Sequence, residues 1–167
     1  DLDLRDYRHI RGTYDRVVSI EVLEAVGHAN MSRFFDACDR SLARGGLGVI
    51  QVITIPDLRY DAYRKSSDWI RKHIFPGGHL PSVGAMEKAL KQSVTLRITR
   101  LSEMGSHYAT TLRHWRENLL ASREEVLSLG FDENFLRTWE YYFSYCEAGF
   151  KTSAIQNHQL VLTREPD

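Results

Sequence analysis

Two stretches of this sequence place polar side chains where an apolar run ends. Ser19-Ile20-Glu21-Val22-Leu23-Glu24-Ala25-Val26-Gly27 follows the β-branched run that begins at Tyr14, and Gln51-Val52-Ile53-Thr54 closes the apolar run from Leu47 to Ile55. In open α/β sheets, ligands gather beyond the carboxyl ends of the strands, so both stretches are candidate sites. Glu24 is the more interesting carboxylate, because it lies among apolar neighbours just past a strand. From position alone it reads equally as a working acid and as a helix-capping or solvated one. The seven histidines show no metal-ligand spacing: His107 and His114 share a helical face at i, i+7, too far apart for a ligand pair, and no metal is expected. There is no Gly-x-Ser-x-Gly and no serine with an evident base, which leaves covalent acyl transfer without support. No glycine-rich phosphate loop follows a strand.

The elements that must position these residues can be read from periodicity. Tyr14 to Ile20 has the length and content of a buried strand. Met31, Phe34, Phe35, Cys38 and Leu42 recur at helical spacing, and Gly45-Gly46 is expected to close that helix. Leu47 to Ile55 is a second strand, stopped by Pro56. Strand, helix and strand with short connections form a βαβ unit and predict a parallel sheet. Leu2 to Tyr7 alternates weakly, as a short strand would. Phe75-Pro76-Gly77-Gly78-His79-Leu80-Pro81 is a turn segment. Ser82 caps a helix to about Leu90, and Val94 to Leu101 alternates as a strand. His107 to about Leu129 reads as one long helix or a pair, ended by Gly130. Asp132 opens a further helix with Phe135, Trp139, Tyr142 or Phe143, Cys146 and Phe150 on one face. Gln159 to Thr163 is a closing strand. The aromatic stripe fits a core better than a ligand wall. The basic and aromatic run at 57 to 73 fits a solvated face, with contact to a membrane interface as the alternative.

A chain of 167 residues can bury a core of its own. Lysine plus arginine equals aspartate plus glutamate at 22 each, which argues against a general nucleic-acid binder. Cys38 and Cys146 fall on apolar helical positions and read as reduced thiols in a reducing, cytoplasmic compartment. No apolar run reaches the roughly 20 residues of a membrane span. The opening residues do not form a signal peptide. Asp1 stands where a methionine would begin, so a piece of a longer protein is expected.

Four motifs in order carry a family resemblance. Tyr14 to Glu21 with Leu23-Glu24-Ala25-Val26-Gly27, Ile74 to Ser82, His107 to Leu112 with Trp115, and Phe131 to Trp139 resemble the cyclopropane-fatty-acyl-phospholipid synthases, from about Asp6 to the end. The resemblance implies an α/β, Rossmann-like class I methyltransferase fold. It also implies that residues 1–167 are the C-terminal part of the catalytic domain, with lipid-substrate insertions at about 56–82 and 105–150. The first strands, the glycine-rich cofactor loop and a bicarbonate-site cysteine would precede Asp1.

The implied activity is transfer of a methylene group from S-adenosylmethionine to a cis double bond of an unsaturated phospholipid acyl chain. The alkene attacks the sulfonium methyl, and the carbocation loses a proton to bound bicarbonate and closes to a cyclopropane. By the same resemblance, Glu24, Tyr108, the Ile53 main chain and Gln51 would hold bicarbonate. Asp6 and Tyr7 would lie beside the adenine, and Ile20 would wall the methionine pocket. Gln51 stands where relatives carry histidine, and an amide cannot titrate near neutral pH. Ala25 replaces the histidine that commonly follows the glutamate.

The expected partner is phospholipid at a membrane surface, with the protein peripheral to it; a homo-oligomer is compatible with the sequence. An alternative acceptor is another lipid or an amine, and a reading from another class is a non-catalytic lipid-binding domain. The isolated chain is expected to expose a sheet edge, to be less stable than a longer parent, and to bind S-adenosylmethionine poorly or not at all. Micromolar calorimetric binding would contradict the last point.

Overall fold

The computed structural model describes residues 2–92 and 95–164. The chain divides into two compact units, one running to Glu103 and resuming at His158, the other spanning Met104–Asn157.

In the first unit, β1 (Tyr14–Ile20) leads through the one-turn helix α1 (Leu23–Val26) and helix α2 (Met31–Ser41) into β2 (Leu42–Thr54). β1 and β2 are parallel, with Val17 opposite Gly48 and Ile20 opposite Gln51, as the βαβ reading requires. Two short helices follow, α3 (Asp57–Tyr63) and α4 (Trp69–His73), and then α5 (Val83–Leu90). The Ser82 hydroxyl accepts from the Ala85 amide at 3.2 Å, which is the N-cap expected of it. β3 (Leu96–Glu103) runs past Leu101, where the alternation ends, and Val94 lies outside the described residues. In the second unit the chain forms α6 (Gly105–Ala121), α7 (Arg123–Ser128) and α8 (Glu133–Lys151). It returns as β4 (Gln156–Arg164), antiparallel to β3, and the sheet order is β1-β2-β4-β3.

The core lies where α2 and α5 pack on this sheet: Met31, Phe34 and Phe35 meet Ile50, Val52, Met86 and Leu160. On β2, Ile50 and Val52 are buried while Gln51 and Ile53 share the opposite, half-buried face, the period-2 alternation of a strand.

Three expectations need correction. Gly45-Gly46 does not close α2, which ends at Ser41; the pair lies inside β2, where the register jumps from Tyr14 opposite Leu42 to Arg16 opposite Leu47. Gly45 takes φ +71°, and a Cβ on Gly46 would come within 2.8 Å of the Ala43 carbonyl oxygen, so glycine serves a strand irregularity here. Leu2 to Tyr7 is not a strand: Leu2 and Leu4 are fully exposed, and Asp6 caps a 3₁₀ turn over Tyr7–His9 by accepting from the Arg8 amide. β1 is a strand but not a buried one, since Val18 and Ile20 are 64% and 61% exposed. It pairs only with β2 among the described strands.

The second unit is a helix pair α6–α7 followed by α8, which Asp132 caps by accepting from the Phe135 amide at 2.8 Å. Its aromatic stripe splits. Cys146 and Phe150 are buried, whereas Phe135, Trp139 and Phe143 line an apolar groove of about 380 Å³ with Trp115, Leu119 and Val126.

Candidate active site

The carboxyl ends of β1 and β2 lie side by side, and the chain leaves β1 by a sharp turn. Glu21 adopts φ +54°, the left-handed region that costs a residue with a Cβ about 1 kcal/mol or more. Its amide donates to the Gln51 carbonyl at 2.9 Å, extending the ladder by one residue before α1 begins. This turn carries Glu24 across to β2, where the Ile53 amide donates to Glu24 Oε1 at 2.6 Å. The Glu24 carbonyl accepts from the His79 amide at 2.8 Å. Both ends of the residue are therefore held.

Glu24 Oε2 is buried without a hydrogen-bond partner among the described residues. Desolvation raises the carboxyl pKa from 4.5 to about 7, against the lowering effect of the Ile53 amide and with a smaller push from Glu21. Such a group exchanges a proton near neutral pH, and its second oxygen can either accept from or donate to a small oxyanion.

Gln51 is locked at both ends of its amide. Its Nε2 donates to Glu21 Oε1 at 3.1 Å, and its Oε1 accepts from Gln159 Nε2 at 3.0 Å. At the same strand end the buried Thr54 Oγ1 and His158 Nδ1 share a hydrogen bond at 2.8 Å, and His158 Nε2 lies 3.6 Å from Oε1 of the exposed Glu103.

Of the residues singled out from the sequence, the structure pairs Glu24 with the Ile53 amide and Gln51 with Glu21, two separate hydrogen-bonded sets at the ends of β1 and β2. Tyr108 lies in the second unit on α6, its ring against Trp115 and Phe150 at 6.4 and 5.0 Å between centroids. Asp6 is engaged by Arg8, whose guanidinium and, to a lesser degree, amide hold its carboxyl well below the usual carboxylate range. Tyr7 packs edge-on against Phe34 at 5.6 Å, and Ile20 ends β1 largely exposed. Glu21 and His79 fall inside quoted motifs without a role of their own, and Gln159 and His158 carry none. Glu21 follows a strand end, which was a usable signal; Gln159 reaches Gln51, and His158 reaches Thr54, only through the order of strands in the sheet.

The family model for mycolic acid cyclopropane synthetase matches residues 1–160. Tuberculostearic acid methyltransferase UfaA1 of Mycobacterium tuberculosis is 45% identical over 165 residues, which cover 99% of this chain and 39% of that protein. The cyclopropane-fatty-acyl-phospholipid synthase of Escherichia coli K12 is 33% identical over 163 residues, covering 96% and 40%. The crystal structure of mycolic acid cyclopropane synthase CmaA1 complexed with SAH and CTAB superposes with a TM-score of 0.84 at 25% identity, over 97% of this chain and 59% of that one. The fold is accordingly the Rossmann-like class I methyltransferase fold. The chain spans about two fifths of the length of these curated relatives.

Proposed function

The chain belongs to the mycolic acid cyclopropane synthetase family, and from that premise we propose that the protein carrying it transfers a methylene group from S-adenosylmethionine to a cis double bond of an unsaturated phospholipid acyl chain. The observation that carries this reading is Glu24: a desolvated carboxyl with one oxygen on a main-chain amide and the other unpartnered, at the ligand end of parallel strands. In that reaction S-adenosylmethionine supplies an electrophilic methyl and bicarbonate supplies a proton acceptor. An alkene is a poor nucleophile, so the protein's part is to hold it in place and exclude water. Glu24 and the Ile53 main chain orient the oxyanion. Gln51 does not titrate; its amide fixes Glu21 and so the turn that delivers Glu24. Asp6, Tyr7 and Ile20 are assigned to the cofactor, and Tyr108 to the oxyanion, on the motifs alone.

Residues 1–167 are read as the C-terminal part of the catalytic domain, with residues 56–82 and 105–150 as lipid-substrate insertions. The groove walled by Trp115, Phe135 and Trp139 supports this, because an acyl chain is stabilised by such walls. No helix among the described residues is long and apolar enough to cross a membrane. Exposed Leu58 and Phe75 beside Arg59 and Lys72 support a peripheral approach to the lipid surface.

The 45% identity to a tuberculostearic acid methyltransferase favours a second reading, in which the same transfer acts on another lipid. Incubating the longer protein with S-adenosylmethionine and cis-unsaturated phospholipid vesicles separates the two. A gain of one methylene with loss of the olefinic signal supports the first reading; no gain there, with the one-carbon unit taken up by a second unsaturated lipid offered alongside, supports the second; no gain in either lipid sinks both. Glu24→Gln should lower kcat by about 100-fold or more, and Tyr108→Phe by roughly 100-fold.

A further inference from the structure

A hydrogen-bond chain runs from the surface to the back of the Glu24 segment. His28 is exposed, whereas Tyr60 and His79 are 6% and 7% exposed. His28 Nδ1 and Tyr60 Oη share a hydrogen bond at 2.7 Å, and Tyr60 Oη and His79 Nε2 share another at 2.9 Å. A phenol has one proton to give, so Tyr60 donates to one imidazole and accepts from the other. The two rings must therefore face it in opposite protonation roles.

The segment that His79 opens is tied down on three sides. The His79 amide donates to the Glu24 carbonyl at 2.8 Å, the Leu80 amide to Tyr63 Oη at 3.2 Å, and the Pro81 carbonyl accepts from the Ile55 amide at 3.0 Å. Ile55 lies two residues beyond Ile53, which holds the Glu24 carboxyl. Helix α1 itself is four residues long and is followed by Gly27 at φ +77°. One turn of helix has too few internal hydrogen bonds to hold its own place.

We propose that His28, Tyr60 and His79 are positioning residues for Glu24: their hydrogen-bond chain fixes segment 79–81, and through the His79 amide it fixes α1 where Glu24 Oε1 receives the Ile53 amide. The His79 end of the chain is held neutral at neutral pH. Burial lowers the His79 pKa to about 4, with smaller contributions in the same direction from Arg71, His28 and Arg64. On the Glu24 side the facing charge is Glu21.

The inference rests on Glu24 as the working carboxyl, and its test can be read without turnover. In the full-length protein labelled with ¹⁵N-isoleucine, the Ile53 amide resonance reports ionisation of the carboxylate that it binds. The wild-type midpoint is expected near 7. Tyr60→Phe removes one oxygen and both hydrogen bonds; a loosened α1 admits water to Glu24, and the midpoint should fall by about one pH unit or more. His79→Leu should behave alike. His79→Gln places an amide nitrogen where Nε2 stands and should keep the wild-type midpoint, as should His28→Asn, which replaces Nδ1. A midpoint unmoved by Tyr60→Phe overturns the proposal, and so does an equal fall in His79→Gln and His79→Leu. If His79→Leu does not fold, Tyr60→Phe against His79→Gln decides the matter. Activity that survives Glu24→Gln, with the Tyr60→Phe shift intact, would sink the functional reading and leave the positioning role standing.

Discussion

Glu24 and His79 pull the pH dependence of stability in opposite directions. The Glu24 carboxyl titrates at about 7 when folded against 4.5 as a free group, so between those values the folded state keeps a proton that the unfolded state has lost. Stability from this group is full below pH 4.5 and falls as pH rises to 7, by on the order of 3 kcal/mol in all. His79 is held neutral, with a pKa of about 4 against 6.5 free, so the unfolded state binds the extra proton and stability rises as pH climbs through that window. The two effects oppose each other between 4.5 and 6.5. We expect Glu24→Gln to unmask a stability that rises with pH across this interval, and His79→Gln one that falls. Urea midpoints at its two ends check both. The carboxylate was legible as a candidate because it follows a strand. Its desolvation was not, because the amide that holds it comes from β2, 29 residues further along the chain.

At the scale of elements, local chemistry was a good guide wherever one side chain closes a helix. Ser82 and Asp132 are N-caps as their spacing suggests, and replacing either with alanine should cost about 1 kcal/mol, measurable by chemical denaturation. The Gly45-Gly46 pair shows where such reading stops. Two glycines after an apolar helical pattern suit a helix end, yet here they serve a strand that must bulge against β1. Gly46→Ala would bring a Cβ to 2.8 Å from the Ala43 oxygen and 3.1 Å from the Asp15 oxygen, both main-chain atoms that cannot yield cheaply. We expect a loss of about 1–3 kcal/mol, and an alanine variant as stable as the wild type would show that the strand irregularity does not need glycine. The aromatic stripe of α8 also divided in a way that periodicity does not reveal: a helix face is continuous in sequence, but α6 buries only its C-terminal part.

For the molecule as a whole, β1 is the decisive edge. It pairs with β2 on one side, and its Val18 and Ile20 are largely exposed. An edge with apolar side chains recruits further strands. The 167-residue chain on its own should therefore self-associate at micromolar concentration, and Val18→Lys should reduce that association. Light scattering that finds the unmodified chain monomeric would contradict this. The run at 57 to 73 folds as α3 and α4 and contributes Tyr60 and Tyr63 inward, so it is not simply a solvated face.

What the sequence determined by itself is whatever depends on near neighbours: the parallel βαβ unit from its two apolar runs and intervening helix, the helix caps, the turn at 75–81, and the motifs that carry the family resemblance. Tertiary structure alone decided which polar groups meet. Gln51 reaches Glu21 and Gln159 because β2 lies between β1 and β4, and His28, Tyr60 and His79 join because three separate elements converge behind Glu24. Hydrogen bonds between residues 30 or 108 positions apart leave no period in the chain. They arise only when the strands have taken their order, and that order also sets the desolvation that makes a surface-type carboxylate into a group titrating near neutrality.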